Sequence, residues 1–433
     1  MKYYSTNKTA PLATLAKAVT QGLAEDRGLY MPQQIKRLPQ QFYGQMSQMS
    51  FQDIAYTVAD AFFGEDIEAA ALRRIVEDTL SFPCPIVEVE PGIYSLELFH
   101  GPTLAFKDVG ARFMARLLQH FIRQQDQHAT VNVLVATSGD TGSAVANGFL
   151  GVEGIRVFVL YPKGKVSPIQ ECQFTTLGQN ITAIEVDGVF DDCQRLVKQA
   201  FMDGDLRRQL TLTSANSINV ARFLPQAFYY FNAYAQLPSR CQQVVMCVPS
   251  GNFGNLTAAL FGQQMGLPVK RFIAANNAND IVYQYLQTGK YQPRPSVQTL
   301  ANAMDVGDPS NFARVCELYG SWDEVTSHIS GATYSDEQIR QTMRRCHDTT
   351  GYVLDPHGAC GYQALKDGLQ PGEVGIFCET AHPAKFKQVV EEAIGSAVDI
   401  PDRLAAFMKG EKQSVALPNS YDDFCQLLMD MSK

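Results

Sequence analysis

One lysine, Lys107, lies in a segment whose residue types could do covalent chemistry. The segment reads His-Gly-Pro-Thr-Leu-Ala-Phe-Lys-Asp-Val-Gly-Ala-Arg-Phe over residues 100–113, and an irregular stretch there leads into a predicted helix. Desolvation lowers the pKa of a lysine, which makes its amine a nucleophile or a Schiff-base partner for a carbonyl group. The pattern also fits a lysine whose stem covers Phe106 while its ammonium group reaches water. The segment alone leaves both interpretations open.

Two glycine-rich turns offer places for small anions. Each follows a predicted strand and precedes a predicted helix, the first over residues 137–142 (Thr-Ser-Gly-Asp-Thr-Gly) and the second over residues 249–255 (Pro-Ser-Gly-Asn-Phe-Gly-Asn). Ligands of open α/β sheets bind at this end of the strands, where a helix start presents free N–H groups and a positive dipole end. Either turn could instead be a tight connection with a capping side chain.

The two turns lack the common nucleotide-binding motifs. A Walker loop needs GxxxxGK[ST] and a dinucleotide-binding turn needs GxGxxG, so ATPase and dehydrogenase activities have no motif support. Two anion-binding turns and one lysine in an apolar setting fit a phosphorylated carbonyl cofactor and a carboxylate substrate.

The composition describes a globular chain with more than one core. Its 433 residues suggest two or three packed units, and 45% hydrophobic with 18% charged residues is ordinary for such chains. A formal net charge of −8 argues against nucleic acid or an anionic membrane as a partner.

The spacing of the cysteines and the absence of long apolar runs indicate the cellular compartment of the protein. The ten cysteines are scattered, with no CxxC pair and no histidine at metal-ligand spacing, so we expect no metal site. The chain begins without a hydrophobic signal core, and no apolar run approaches the length of a membrane span. We therefore expect a reduced, cytoplasmic protein with no membrane partner.

Hydrophobic periodicity predicts the elements that must position these residues. Residues 1 to about 80 are predicted to be mostly helical, with Ser50 and Asp53 resembling a capping box and with helices over 12–23 and 67–80. From about residue 86 to 395, short apolar runs alternate with amphipathic stretches, which predicts parallel sheets covered on both faces. The predicted strands cover residues 131–136, 155–161, 181–186, 244–248, 272–275 and 374–378, and the helices between them residues 111–122, 193–202 and 253–264.

The expected fold class is α/β, with two open, mostly parallel α/β sheet domains and a helical amino-terminal domain. We expect the helical domain over residues 1–82 and the catalytic region over residues 83–433. The catalytic region should consist of two interleaved subdomains, the smaller over roughly 110–215 and the larger over the remainder, with a helical tail over 396–433.

Four motifs together resemble the threonine synthases, a family of fold-type II pyridoxal-phosphate enzymes related to tryptophan synthase β. They cover residues 100–108, 138–142, 250–254 and 380–386, and their order and spacing fit over nearly the whole chain. The four-motif match is specific, whereas any one motif alone would not be. The resemblance implies pyridoxal 5'-phosphate as the cofactor and O-phospho-L-homoserine as the substrate. It implies conversion of that substrate, by γ-elimination and β-hydration, to L-threonine and phosphate.

The resemblance also implies roles for individual residues. Lys107 would anchor the cofactor and later move protons, and Thr380 would hydrogen-bond the pyridine nitrogen. The cofactor phosphate would lie against Ser250, Gly251, Asn252, Phe253, Gly254 and Asn255. The substrate carboxylate would lie against Thr137, Ser138, Asp140 and Thr141, and the substrate phosphate against Asn216, Ser217 and Arg222.

Several alternatives stay open at this point. Arg222 could form a surface salt bridge, and Asp140 stands where the wider fold-type group usually has asparagine, so no amide hydrogen bond to the cofactor is implied there. A phospholyase or dehydratase on the same scaffold would share Lys107, and a non-catalytic ligand sensor would keep only the pocket. Either a monomer or a homodimer is compatible with the sequence.

Overall fold

The computed structural model describes residues 1–124, 130–238 and 243–432. The strands of this part are β1 (Lys2–Ser5), β2 (Ala13–Thr14), β3 (Tyr30–Pro32), β4 (Ile86–Glu90), β5 (Ile93–Glu97), β6 (Val131–Ala136), β7 (Ile155–Pro162), β8 (Ile181–Asp187), β9 (Thr211–Ser214), β10 (Gln243–Pro249), β11 (Val269–Asn276), β12 (Ile329–Thr333), β13 (Glu373–Glu379) and β14 (Val415–Pro418).

The helices alternate with the strands over most of the chain. The α-helices of the described part are α1 (Leu15–Gln21), α2 (Gln40–Gln45), α3 (Phe51–Phe63), α4 (Ala69–Thr79), α5 (Lys107–Gln124), α6 (Asp140–Phe149), α7 (Pro168–Thr175), α8 (Phe190–Met202), α9 (Gly204–Gln209), α10 (Val220–Phe223), α11 (Ala227–Gln236), α12 (Gly254–Met265), α13 (Ile281–Thr288), α14 (Phe312–Tyr319), α15 (Trp322–His328), α16 (Asp336–Thr350), α17 (Pro356–Gly368), α18 (Lys387–Ile394), α19 (Asp402–Met408) and α20 (Tyr421–Ser432). Short 3-10 helices cover Met46–Gln48, Leu224–Gln226, Asn302–Met304 and Pro383–Phe386.

The chain divides into two compact units, each made of discontinuous segments. Unit 1 comprises Met1, Met31–Phe106 and Phe223–Asp399, and unit 2 comprises Lys2–Tyr30, Lys107–Arg222 and Ile400–Lys433. The predicted domain boundary near residue 82 does not coincide with a change of unit, and the predicted domains stay a prediction. The α/β fold class itself, with mostly parallel sheets, is confirmed.

Unit 1 contains a six-stranded sheet in the order β12-β11-β10-β13-β5-β4. Every pair is parallel except the edge pair β4 and β5, which is antiparallel. The central strands β10 and β13 are buried along almost their whole length, and α17 packs against both. The turns that follow β10 and β13 therefore start from well-packed strand ends.

Unit 2 contains a five-stranded parallel sheet in the order β14-β8-β7-β6-β9. Its core includes a cluster in which side chains of the sheet meet those of α8 and α20. Buried members of that cluster are Leu134, Phe158, Ile184, Leu196 and Phe424. Helices α5 and α6 pack against each other, which joins the helix that begins at Lys107 to the helix that follows β6.

The elements that were predicted from periodicity are confirmed, with some shifts at their ends. All six predicted strands and the three helices between them are present. Ser50 accepts a hydrogen bond from the amide of Asp53 at the start of α3, and Gly64 ends that helix. The predicted helix over 12–23 is shorter, because the Thr14 side chain caps its start and Gly22, at φ 75°, ends it.

The chain ends contain strands that the sequence did not indicate. The predicted helical tail over 396–433 is wrong in one respect, because β14 pairs there in parallel with β8. Likewise β1 and β2 precede α1, and β3 lies between α1 and α2. These strands are two to four residues long, too short to show a period of two.

The described helices include none that is both long and apolar enough to cross a membrane.

Candidate active site

The turn after β10, residues 250–255, has the geometry of a phosphate cradle. Phe253 adopts a left-handed conformation, at φ 63°, and α12 begins at the next residue. The amides of residues 251–255 donate to no acceptor within the described part of the chain. Such N–H groups at a helix start, together with the positive end of the helix dipole, bind a phosphate group well.

Glycine is required at position 251 of this cradle. A Cβ atom on Gly251 would lie 2.7 Å from the carbonyl oxygen of Ala303 and 2.9 Å from the Cα atom of Met304. These distances are shorter than real Cβ contacts, so the main chain of residues 303 and 304 packs directly on the cradle.

The polar side chains of the cradle stabilise the turn itself. The Ser250 hydroxyl donates to the carbonyl of Val248 at 3.1 Å, and the Asn255 amide donates to the carbonyl of Pro249 at 2.8 Å. The side-chain oxygen of Asn255 accepts from the amide of Leu256 at 2.9 Å. A bound phosphate would therefore meet main-chain N–H groups for the most part.

The turn after β13 places Thr380 next to the segment that leads into Lys107. The amide of Phe106 donates to the carbonyl of Thr380 at 2.8 Å, and the amide of His382 donates to the carbonyl of Leu104 at 3.0 Å. Thr380 is 6% exposed, and its hydroxyl has no hydrogen-bond partner in the described ranges. A neutral, buried hydroxyl is thus available to a ligand atom at this point.

Lys107 is half-buried and is the first residue of α5. Two further side chains fix the residues before it: the ammonium group of Lys385 donates to the carbonyl of Thr103 at 2.9 Å, and the Tyr229 hydroxyl donates to the carbonyl of Phe106. Sequence reasoning missed Lys385 as a support, although it lies inside the Thr380 motif and is only 1% exposed.

In unit 2, the turn over residues 137–142 is held by its own first side chain. The Thr137 hydroxyl accepts hydrogen bonds from the amides of Gly139 at 2.9 Å and Gly142 at 2.7 Å. Asp140 is 5% exposed at the start of α6, and one carboxylate oxygen accepts from the side-chain amide of Gln170 at 3.0 Å. Gln170 was not found from the sequence because it lies on α7, outside every motif.

The segment after β9 lies beside this turn. Strands β6 and β9 pair in parallel, and the side-chain amide of Asn216 donates to the carbonyl of Ala136 at 3.2 Å. Unit 2 thus brings Asn216 close to the strand end from which Thr137 follows.

Arg222 is buried, at 3% exposure, so the alternative of a surface salt bridge is wrong. Its Nε donates to the carbonyl of Ala215 at 2.7 Å and its Nη1 to the carbonyl of Lys107 at 3.1 Å. The guanidinium group therefore ties the loop after β9 to the first turn of α5.

A buried acid and histidine cluster supports the Thr380 turn in unit 1. Glu379, Asp355 and His357 are each at most 1% exposed. Burial, followed by the charge of Asp355, raises the pKa of Glu379 well above its usual range. His382 has its pKa lowered, chiefly by burial, and its Nδ1 accepts from the amide of Ala384, which caps the 3-10 helix at Pro383–Phe386.

Comparisons with known proteins agree with this arrangement. The family model "Pyridoxal-phosphate dependent enzyme" matches residues 78–378, "Threonine synthase N terminus" matches residues 2–80, and "Threonine synthase, C-terminal" matches residues 358–427. A threonine synthase of Serratia marcescens is 45% identical over 432 residues, with full coverage of both chains.

Solved structures give the same result. The crystal structure of threonine synthase from Escherichia coli matches with a TM-score of 0.94 and 45% identity, covering 100% of both chains. The structure of a threonine synthase from Brucella melitensis with bound pyridoxal phosphate matches with a TM-score of 0.94 and 34% identity, again over the full length of both.

The chain therefore belongs to the pyridoxal-phosphate-dependent enzymes, and pyridoxal 5'-phosphate is its cofactor. Within the described residues, the cradle amides and the Thr380 hydroxyl have no hydrogen-bond partner, and these donors fit the phosphate and the pyridine nitrogen of that cofactor. Within this class, the full-length similarity places the chain in the threonine synthase family.

Proposed function

We propose that this chain converts O-phospho-L-homoserine and water to L-threonine and phosphate, as the last step of threonine biosynthesis. The observation that carries the proposal is the hydrogen bond from the Phe106 amide to the Thr380 carbonyl, at 2.8 Å. It fixes the residue before Lys107 to the turn that offers a neutral hydroxyl for the pyridine nitrogen. Both features lie in a chain that is similar to threonine synthases along its whole length.

The reaction removes a proton from Cα and one from Cβ, expels phosphate from Cγ and adds a proton there, adds the hydroxyl group of water at Cβ, and returns a proton to Cα. Bound pyridoxal phosphate supplies the electron sink for the carbanions that these proton losses create. The amine of Lys107 would anchor the cofactor. During turnover it would take a proton from Cα and one from Cβ, deliver one to Cγ and return one to Cα. Thr380 would leave the pyridine ring less protonated than an aspartate would.

The remaining site residues bind and orient. Main-chain N–H groups of the cradle would hold the cofactor phosphate, through Ser250, Gly251, Asn252, Phe253, Gly254 and Asn255. The turn with Thr137, Ser138, Asp140 and Thr141 would hold the substrate carboxylate.

The substrate phosphate would be held by Asn216, Ser217 and Arg222. An arginine suits a dianionic leaving group because its planar group presents several N–H donors. Two of those donors already bind main-chain carbonyls, so Arg222 would hold the phosphate in a fixed orientation relative to the main chain of Lys107.

The test of this proposal is the Lys107→Ala variant. Loss of the anchoring and proton-moving amine should lower threonine formation by about a thousandfold. Borohydride reduction of the wild-type protein should fix the cofactor on Lys107, as read by mass spectrometry of the labelled peptide. Lys163→Ala, which removes an exposed lysine, is the matched control and should keep wild-type activity. Unchanged turnover in Lys107→Ala would refute the assigned role.

Product analysis separates this function from the phospholyase or dehydratase alternative. Such an enzyme would share Lys107 and the cradle, but it would not add water at Cβ. Threonine and phosphate in equal amounts support the proposal. Release of 2-oxobutanoate and ammonia from O-phospho-L-homoserine would favour the alternative.

A further inference from the structure

The segment over residues 301–311 packs on the phosphate cradle. Its Ala303 carbonyl lies 2.7 Å from the position that a Cβ on Gly251 would take. Farther along, the amide of Asn311 donates to the carbonyl of Asn252 at 3.1 Å, and the amide of Ser310 reaches the Asn252 side-chain oxygen at 3.4 Å. A shift of this segment would therefore change the shape of the cradle.

The imidazole of His357 accepts a hydrogen bond from this segment. The amide of Ala303 donates to Nε2 of His357 at 3.2 Å, and the imidazole, 1% exposed, packs edge-on against Phe386. A main-chain N–H can only donate, so Nε2 must accept. The proton of a neutral His357 therefore lies on Nδ1.

Asp355 connects His357 to both neighbours of Thr380. Nδ1 of His357 donates to one carboxylate oxygen of Asp355 at 2.6 Å, and the other accepts from the amide of Ala381 at 3.3 Å. The amide of Asp355 donates to the Glu379 carboxyl group. The residues before and after Thr380 are thus both bonded to Asp355.

We propose that Asp355 and His357 are positioning residues that couple the phosphate cradle to the Thr380 turn. A phosphate group bound in the cradle reduces the mobility of residues 301–311. Through the hydrogen bonds of His357 and Asp355, the Thr380 turn, which meets the other end of the cofactor, becomes less mobile as well. The inference rests on the roles of the cradle and of Thr380 proposed above. Neither Asp355 nor His357 touches a reacting atom.

Two variants of His357 each keep one half of the connection. In His357→Asn, the side-chain amide lies near the former Nδ1 and still donates to Asp355, but no acceptor reaches the Ala303 amide. In His357→Gln, the side-chain oxygen lies near the former Nε2 and accepts from Ala303, but the bond to Asp355 is lost. Each variant should raise the dissociation constant for pyridoxal phosphate about tenfold, as expected for the loss of one buried hydrogen bond.

The two variants should differ in whether they disturb the phosphate end of the bound cofactor. Phosphorus NMR of the cofactor phosphate should change in His357→Asn, and the visible absorption maximum should shift as well, because the link from residues 301–311 to the Thr380 turn is lost. The maximum should shift in His357→Gln, while the phosphorus resonance stays. His347→Gln is the matched control, because His347 pairs with Asp348 near the surface at 3.4 Å and should leave both signals unchanged. An absorption maximum that stays unchanged in either variant would overturn the coupling.

A measurement on the wild-type protein makes the test independent of whether the variants fold. Saturating inorganic phosphate is added to the apoprotein, and amide hydrogen exchange is followed by mass spectrometry. Slower exchange in residues 301–311 together with residues 379–386 is the expected result. Slowing confined to residues 301–311, or absent from both segments, contradicts the coupling.

The outcomes also separate this inference from the proposed function. Wild-type apoprotein that binds no pyridoxal phosphate would contradict the proposed function itself. Wild-type protein that binds the cofactor and forms threonine, with unaffected His357 variants, would contradict the coupling alone.

Discussion

Glu379 is fully buried directly before Thr380, and one of its carboxyl oxygens has no hydrogen-bond partner within the described residues. Burial raises its pKa, so the folded protein keeps the Glu379 proton at pH values where the unfolded chain has already released it. Because of Glu379, the free energy of unfolding therefore falls as the pH rises, and the protonated form of this residue is the one that stabilises the turn.

The Glu379→Gln variant should remove this pH dependence. Below the pKa of an unfolded glutamate both states carry the proton, so the full stability is present there. Above it, the free energy of unfolding of the wild type should fall relative to the variant by up to about 1.4 kcal/mol per pH unit, until the folded-state pKa is reached. Urea unfolding at a series of pH values measures the difference. Parallel curves for the two proteins would show that Glu379 ionises normally in the folded state.

At the scale of single residues, the sequence could indicate residues whose side-chain chemistry stands out within a motif. Lys107 and Thr380 are of that kind, and the structure places the segment before one beside the other. Gln170, Asp355 and His357 could not be found, because each acts through a partner that is distant in sequence and carries no pattern of its own. The assigned roles of the site residues stay predictions.

The start of α12 is the element on which the cofactor cradle depends. Its first N–H groups have no acceptor within the described residues. Phe253 is in a left-handed conformation, and residues 303 and 304 pack closely on Gly251. This short segment therefore starts a helix, contains a residue with positive φ and contacts the main chain of residues 303 and 304 closely.

The Gly251→Ala variant should weaken cofactor binding. The added Cβ would displace the main chain of Ala303 or the cradle itself, and such overpacking costs about 1–3 kcal/mol. Because 1.4 kcal/mol is a factor of ten, the dissociation constant for pyridoxal phosphate should rise about tenfold or more. Titration of the apoprotein measures it. Gly44→Ala is the control, since a Cβ there meets nothing within 4 Å, and it should bind as the wild type does. Wild-type affinity in Gly251→Ala would disprove the close contact.

Among the elements, the buried strands could be predicted because their apolar runs are continuous. β6, β7, β8, β10, β11 and β13 are of this kind. β9 and β14 are only four residues long and pair at the edges of their sheet, so they leave no comparable signal. The observed helix ends differ from the predicted ones where a single capping residue sets the end. In α1 these residues are Thr14 and Gly22.

At the scale of the whole molecule, the units could not be read from composition. Two of the passages between the units lie between Phe106 and Lys107 and between Arg222 and Phe223. Neither passage has a proline-rich or glycine-rich linker, and the first lies inside a motif. The boundary predicted from the prolines near residue 83 follows local composition, which carries no information about long-range contacts.

The cysteines form a second feature of the whole molecule. None of the nine within the described ranges forms a disulfide bond, and Cys241 lies outside them. Cys247, Cys360 and Cys378 are fully buried, and burial raises the pKa of each thiol, to about 12 for Cys378. A thiol that stays protonated and inaccessible is a poor nucleophile.

Alkylation with iodoacetamide should therefore leave Cys247, Cys360 and Cys378, like the other buried cysteines, unmodified in the native protein. These thiols should react only after unfolding in guanidinium, whereas the partly exposed Cys172, Cys316 and Cys425 should react in the native protein. Peptide mass spectrometry before and after unfolding gives the order. Rapid modification of any of the three buried thiols would mean that the core around β10, α17 and β13 opens readily.

The central claim is that the chain removes phosphate from Cγ and adds water at Cβ of one substrate. The most direct test is turnover of O-phospho-L-homoserine in water enriched in heavy oxygen, followed by mass spectrometry of both products. We expect the heavy atom in the side-chain hydroxyl of threonine and none in the released phosphate, because the bond that breaks is between Cγ and oxygen. Heavy oxygen in the phosphate, which indicates hydrolysis at phosphorus, or unlabelled threonine would contradict the account.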